Sequence, residues 1–400
     1  MEAEVIAVNT CCFIHDAKQE SINTILEMAE HKKDGKCKIL IVTGCLAHRY
    51  QDEITKEIPE VDAFIGTSSY DKIADVIEAV LDGRTYNSIE DTDRLPLVHS
   101  KRVVTTGGYY EYLKIAEGCD KHCTYCIIPF ARGRVRSRAK EDVVREVTEL
   151  AANGYQEVVL TGIHLSSYGV DLENENLLSL ILAVNEIKGI KRIRLGSLEP
   201  RIITEDFVKT ISGLEKMCPH FHLSLQSGCD ETLRRMNRRY TSEEYYEKCM
   251  LLRKYFAHPA LTTDVIVGFP GETDEEFDKT RQFLEKVHFY EMHIFRYSRR
   301  KGTRADKMEN QIPEETKAQR SSILSSLESQ MTKEFRTKWT GACVKVLLEE
   351  RQEINGVSYM VGHTPEYIKC AVETDAPDNT IIDAIIEGEL TADVMKARQR

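Results

Sequence analysis

Residues 112–138 read YLKIAEGCDKHCTYCIIPFARGRVRSR. A short apolar strand runs into a glycine. Three cysteines follow at spacings of four and three (Cys119, Cys123, Cys126), and then four arginines at every second position (Arg132, Arg134, Arg136, Arg138). Structural zinc normally draws four ligands, usually from paired C-x2-C knuckles, and no second knuckle follows here. Three thiolates on one tight loop suit a four-iron cluster better, because they leave one iron without a protein ligand and open to a small chelating molecule.

Outward from this loop, a strand-then-helix rhythm continues for some two hundred residues. EVVLTGI, RIRLGS, FHLSLQ, LTTDVIVGF and MHIFRYS read as strands. Thr241 with Glu244, and Thr273 with Glu276, fit capping boxes at helix starts. Repeated βα units predict a full or partial barrel of TIM type, with residues of interest at the strand C-terminal ends. In GFPGET, Gly268 and Gly271 permit a tight strand-to-helix turn and read as structural. A long helix is predicted from Glu314 to about Lys338. Short alternating strands such as CVKVLLEE and YIKCAVE then predict a small β-barrel. Before the loop, EVIAVNT, KILIVTG and AFIGT read as strands of an open, parallel α/β sheet. DTDRLPLVHSKRVVTTGGYY reads as a linker. The expected organisation is an α/β chain with an N-terminal α/β domain over 1–98, a partial β/α barrel over 105–335 and a small β-barrel over 338–400.

Composition narrows the class. The chain has 400 residues, 42% of them hydrophobic, a net charge of −11 and twelve cysteines. It carries no apolar run long enough to span a bilayer and no signal-peptide pattern, so a cytoplasmic protein is expected. In a reducing compartment such cysteines are metal ligands, catalytic thiols or buried small side chains rather than disulfides. Nothing in the sequence suggests an obligate oligomer, and a monomer is expected.

The cysteine triplet, with Tyr125 before its last member, resembles that of the radical S-adenosylmethionine (SAM) enzymes. CTYCIIPFARGRVRSR, LSLQSGCDETLRRMNRRY, TTDVIVGFPGETDEEF and FRYSRRKGTRA together look like the methylthiotransferases, which replace an inert C–H by C–S–CH3. This resemblance covers essentially the whole chain and includes a TRAM-type barrel at its end. It implies a [4Fe-4S] cluster on Cys119, Cys123 and Cys126 with SAM on the open iron, and an electron-donating reductant. It also implies SAM contacts from Glu199, Gln226, Arg238 and Asp264, which together offer the carboxamide, cationic and acidic partners that SAM requires.

The same resemblance implies a second [4Fe-4S] cluster held by three N-terminal cysteines. Cys11 in VNTC and Cys45 in VTGC match two of them. The third belongs to an LGC-type segment ahead of the VNTC strand, so the chain reads as N-terminally truncated and its second cluster as one ligand short. Cys12 and Cys37 lie nearby but would have to reach such a site by another route.

Two acceptors compete. QSGCD, GSLEP, YSRRKGTRA, TGIHLSSYG and GHTPEYIK are similar to the MtaB type, which methylthiolates threonylcarbamoyladenosine beside the tRNA anticodon. NTCCFIHDAKQESI looks more like the RimO type, which modifies an aspartate of a small-subunit ribosomal protein. The four alternating arginines would share one face if extended. With Arg234, Arg235, Arg238, Arg239 and the group Arg296, Arg299, Arg300, Lys301, Arg304 they would form a phosphate-binding mouth. The last sixty-one residues are acidic, with six Lys or Arg against eleven Asp or Glu. The expectation is a tRNA acceptor. The ribosomal protein, and a truncated chain that cleaves SAM without transferring sulfur, are the alternatives.

Overall fold

The computed structural model describes residues 2–95 and 107–400; residues 96–106 of the expected linker lie outside the described residues. The chain divides into two compact units: residues 1–101, 117–136 and 298–308 form the first, and 102–116, 137–297 and 309–400 the second.

In the first unit, strands β1 (Val5–Thr10), β2 (Ile39–Gly44) and β3 (Ala63–Ile65) pair in parallel in that order. Helices α1 (His15–Asp34), α2 (Cys45–Glu57) and α3 (Ile73–Leu81) connect and cover them. Every residue of β2 is buried, as expected for a central parallel strand covered on both faces. Its apolar side chains divide between one cluster with Ile25, Leu46 and Phe64 and another with Ala63 and Val76. The open parallel sheet expected from the sequence is therefore present. Helix α2 was not apparent in the sequence; it begins at Cys45 immediately after Gly44, whose φ of +95° turns the chain out of β2.

In the second unit, β4 (Tyr110–Glu117, of which the last residue belongs to the first unit) pairs with β6 (Glu157–Gly162), and β6 with β7 (Arg192–Leu195), all in parallel. Between β4 and β6 the chain forms the short α4 (Ile128–Arg132), β5 (Arg136–Ser137) and α5 (Lys140–Ala152). Helices α6 (Leu177–Asn185) and α7 (Glu205–Ser212) precede and follow β7. A second parallel sheet runs β8 (His220–His222), β9 (Ala260–Val267), β10 (Glu291–Arg296). Bridges from Ile193 to Met217 and from Leu198 to Leu223 join the two sheets into one partial barrel. Helices α8 (Asp230–Arg235), α9 (Ser242–Tyr255) and α10 (Asp274–Val287) flank it. Both expected capping boxes form, Thr241 with Glu244 and Thr273 with Glu276.

GFPGET is a structural turn. Gly268 has φ +70°, and a Cβ there would meet Lys317 Cγ at 2.3 Å. The carboxylate of Glu272 accepts from the Gly268 amide at 2.5 Å and from Arg320 at 2.7 Å, both side chains being buried. Arg320 lies on α11 (Glu314–Thr337), so this ion pair fastens the long helix to the turn after β9.

Strands β11 (Cys343–Ile354), β12 (Val357–His363), β13 (Lys369–Val372), β14 (Ile381–Glu389) and β15 (Met395–Gln399) close the expected small barrel, ordered β11-β12-β13-β15-β14. It is fixed to the larger barrel by buried arginines. Arg192 donates to the carbonyls of His363 and Lys345, both at 2.9 Å, and Arg194 to that of Pro365 at 2.9 Å. Glu157 neutralises both guanidiniums, and Arg194 lies over the Tyr367 ring.

Candidate functional site

The loop after β4 is built around Gly118. Its φ is +71°, and an added Cβ would fall 1.7 Å from the carbonyl oxygen of Arg134. Only glycine allows that approach, which lets the Cys119 amide donate to the Gly133 carbonyl at 3.1 Å. The Cys126 amide donates to the Cys123 carbonyl at 3.0 Å and tightens the second half of the loop. From the YSRRKGTRA segment, Arg300 donates to the Tyr125 carbonyl at 2.5 Å and the Ala305 amide to the Thr124 carbonyl at 2.9 Å. Gly118→Ala is expected to cost well above the ~1–3 kcal/mol of a strained left-handed residue alone. Its signature in the anaerobically reconstituted protein is lost iron and a lowered melting temperature.

Cys119, Cys123 and Cys126 are all partly buried cysteines. Burial, and after it the charges of Cys126 and Cys123, push the Cys119 thiol up to about 11. Two neighbouring sulfurs that oppose the ionisation of Cys119 make the loop a good set of ligands, because bound iron supplies the charge that a cluster of thiolates lacks. The donor set fits an iron–sulfur cluster with one iron left open.

At the N-terminal site the structure pairs cysteines that the sequence did not. Cys45, the first residue of α2, receives a hydrogen bond from Cys12, and Arg132 Nε lies 3.1 Å from its sulfur. The Cys12 bond first, and then the Arg132 charge, hold the Cys45 thiol down to about 6 against the opposing effect of burial. Cys12 itself is driven upward. Cys11 is exposed; its amide donates to Ser21 Oγ at 3.0 Å, and its sulfur accepts the Phe13 amide at 3.4 Å. Cys37 is buried against the Ile39 carbonyl. The adjacent cysteines of NTCC thus project differently, a strand-end alternation that counting spacings from VNTC alone passed over.

The arginine ladder does not form the expected face. Helix α4 and Gly133, at φ +69°, interrupt the segment. Arg132 turns to Cys45 and Glu117; the buried Arg136 donates to the carbonyls of Arg132 and Arg134 at 2.8 Å. Arg138 pairs with Glu146 at 2.7 Å, and of the four only Arg134 is exposed. Elsewhere Arg235 is bound to Glu276, Arg299 to Asp306, and Arg300 to backbone carbonyls. The single face expected of Arg132, Arg134, Arg136 and Arg138 is therefore corrected; of the wider basic set, Arg235, Arg238, Arg299 and Arg300 are held by acids, Tyr240 or backbone carbonyls, whereas Arg234, Arg239, Arg296, Lys301 and Arg304 are exposed. A period of two in charge was read as a strand face across a segment that folds as a helix end, a glycine turn and a strand of only two residues, Arg136–Ser137.

In the partial barrel, Gln226 is buried with φ +74°, which an ordinary side chain adopts only under constraint. Its amide donates to the Asp264 carbonyl at 2.8 Å, and its carbonyl accepts the Ile266 amide at 2.9 Å. Arg238 donates to the Tyr240 hydroxyl at 2.8 Å and to the Ser224 carbonyl at 3.2 Å, which places it on the backbone that leads into Gln226. Glu199, four residues beyond β7, lies 3.3 Å from His164 Nε2, and its amide bonds Ser166 Oγ at 2.8 Å. Asp264, within β9, pairs with His222 Nε2 at 3.2 Å. The two histidines that meet Glu199 and Asp264 were not singled out in the sequence, although HFH two residues before Leu225-Gln226 offered an alternating pattern.

Residues 113–284 match the radical SAM superfamily, and residues 1–66 match the uncharacterized protein family UPF0004. The ribosomal protein uS12 methylthiotransferase RimO of Lachnoclostridium phytofermentans is 44% identical over 364 residues, covering 91% of this chain and 82% of that one. The enzyme of the same name from Clostridioides difficile is 39% identical over 390 residues, covering 97% and 88%. Both relatives bear the RimO name, not that of the MtaB type which the barrel motifs resembled. Among solved structures, the radical SAM methyltransferase TsrM from Kitasatospora setae aligns with a TM-score of 0.54 at 13% identity, over 76% of this chain and 64% of that one. The radical SAM enzyme OxsB aligns with a TM-score of 0.51 at 13% identity, over 76% and 46%. This chain spans less than two thirds of either solved chain, and the likeness is one of fold. No helix among the described residues is long and apolar enough to cross a membrane. With a donor set fit for an open iron cluster and close relatives over nine tenths of its length, the chain belongs to the radical SAM methylthiotransferases, enzymes that use a [4Fe-4S] cluster and SAM.

Proposed function

We propose that this chain is a methylthiotransferase of the RimO type, acting in the cytoplasm on an aspartate of ribosomal protein uS12. The observation that carries this reading is the 44% identity to a relative named for that reaction, over 91% of the chain. Two features of the chain agree with it. Several of the arginines expected to face a polyanion are held in internal pairs, and its last sixty-one residues are acidic, which suits a basic ribosomal protein better than a polyanion. The tRNA acceptor expected from the barrel motifs finds no support in these relatives.

In this reading Cys119, Cys123 and Cys126 hold the cluster, and Glu199, Gln226 and Arg238 bind SAM; Asp264, expected beside them, is the carboxylate that meets His222. When bound, the cluster and SAM supply a 5′-deoxyadenosyl radical able to take hydrogen from an unactivated carbon. The chain's own residues position that chemistry. The Gln226 backbone is held by two hydrogen bonds to β9, which fixes the point from which its side chain departs before any ligand arrives. Arg238 supplies positive charge for a carboxylate, and Glu199 an acceptor for an ammonium or hydroxyl group. Cys11 and Cys45 are the candidate ligands for the second cluster; Cys12 and the Arg132 guanidinium both lie against the Cys45 sulfur.

The deciding measurement uses a host lacking its own uS12 enzyme and its own tRNA enzyme. Expression of this protein is expected to raise the mass of uS12 by one inserted SCH2 unit, with tRNA nucleosides unchanged. New methylthio-threonylcarbamoyladenosine with unmodified uS12 would overturn the proposal in favour of the tRNA acceptor.

A further inference from the structure

We propose that His222, Asp264 and His293 form a binding site for one divalent first-row transition metal ion, separate from the cysteine-held clusters. The argument begins with register. In the parallel β8-β9-β10 sheet His222 lies opposite Thr262, and Asp264 opposite His293. Residues in register point to the same face, and Thr262 and Asp264 are two apart on β9, so all four side chains share one face. Their potential ligand atoms, one each from His222, Asp264 and His293, lie within 4.8 Å of one another.

The chemistry matches the arrangement. Two imidazoles and one carboxylate are the donor set of facial-triad sites, which leave open positions for water or an oxygen ligand. His222 Nε2 and Asp264 Oδ2 are 3.2 Å apart. Two ligands bonded at about 2.1 Å to one ion stand about 3.0–3.4 Å apart for octahedral to tetrahedral angles, so this edge is already at coordinating length. The other ring nitrogen of His222 is fixed by Thr262 Oγ1 at 3.0 Å, as an outer-shell partner fixes a ligating imidazole. His293 is exposed, and its ring stacks on that of His222 at a centroid distance of 5.7 Å and 28°, so a small rotation brings its nitrogen to the same point. Among the described residues Asp264 has no lysine or arginine within ion-pair distance, although it is three-quarters buried. A cation held with the two imidazoles would supply the charge that this carboxylate lacks.

The test uses the anaerobically reconstituted protein and Mn2+, which thiolates bind weakly. Free Mn2+ is counted by room-temperature electron paramagnetic resonance. The expected result is saturable uptake of one Mn2+ per chain, weakened at least about tenfold in Asp264→Asn and in His293→Ala. Cluster iron and melting temperature should be unchanged, and His293→Ala alters an exposed side chain and so leaves the fold intact. If Thr262 instead donates to His222 Nδ1 and His222 Nε2–H to Asp264, the group is a closed hydrogen-bonded pair. No saturable uptake, or uptake that neither substitution weakens, would then be seen and would overturn the proposal. Because metal uptake is read without turnover, its failure leaves the acceptor assignment untouched.

Discussion

Cys123→Ala is expected to remove essentially all SAM cleavage. After anaerobic reconstitution the variant should lose about four irons per chain relative to the parent, with 5′-deoxyadenosine formation at the level of the protein-free control. The size of the effect follows from the loop. Gly118, Gly133 and the Arg300 and Ala305 contacts shape a loop that offers three sulfurs, and two remaining thiolates cannot hold a cubane against exchange. A Cys11→Ala, Cys45→Ala double variant separates the two clusters: it should keep the radical chemistry while losing any second set of irons. If Cys123→Ala retained its iron and produced 5′-deoxyadenosine, the assignment of this loop would be wrong.

The second large effect is on stability. Arg320→Met should destabilise the second unit by about 3–5 kcal/mol, because it leaves Glu272 buried without its counter-ion. Glu272 already sits above the ordinary carboxylate range, with burial outweighing the Gly268 amide and Arg320. A carboxyl group raised in the folded state binds its proton more tightly there than when unfolded. It therefore favours folding at low pH and loses that contribution as pH rises through its folded value. Without Arg320 the upward shift grows, so the deficit should be smaller near about pH 5 than near about pH 8. Urea unfolding of both proteins at the two pH values reads this directly; a deficit independent of pH would mean that Glu272 is not the group left uncompensated.

How much of this was legible in the sequence differs by the kind of signal. The strands around Cys119 and those of the C-terminal barrel follow from apolar periodicity and glycine placement, which are local. So are the two capping boxes, whose partners stand three residues apart. The cysteine triplet was legible for the same reason. The ladder arginines were misread because their segment holds a five-residue helix with weak periodicity and a glycine turn, and Arg235 because its partner Glu276 lies forty-one residues away. Cys12 meeting Cys45 across thirty-three residues, and His222 meeting Asp264 across forty-two, are products of strand register. Register is fixed only when whole sheets pair. The acceptor depended on neither: barrel motifs and the N-terminal segment pointed in different directions, and whole-chain similarity favours the RimO type.

The attachment of the C-terminal barrel has a practical consequence for dissecting substrate choice. Arg192 and Arg194 reach across to carbonyls of His363, Lys345 and Pro365 while Glu157 balances them from within. Cutting the chain after α11 would therefore strand two buried cations and one buried anion at the floor of the larger barrel. A deletion would report damage to that floor, not the loss of a removable recognition module. Grafting is the informative route: exchanging exposed loops between β strands of the small barrel, with residues 363–367 kept, would test whether those loops set acceptor preference while the two barrels continue to share one foundation.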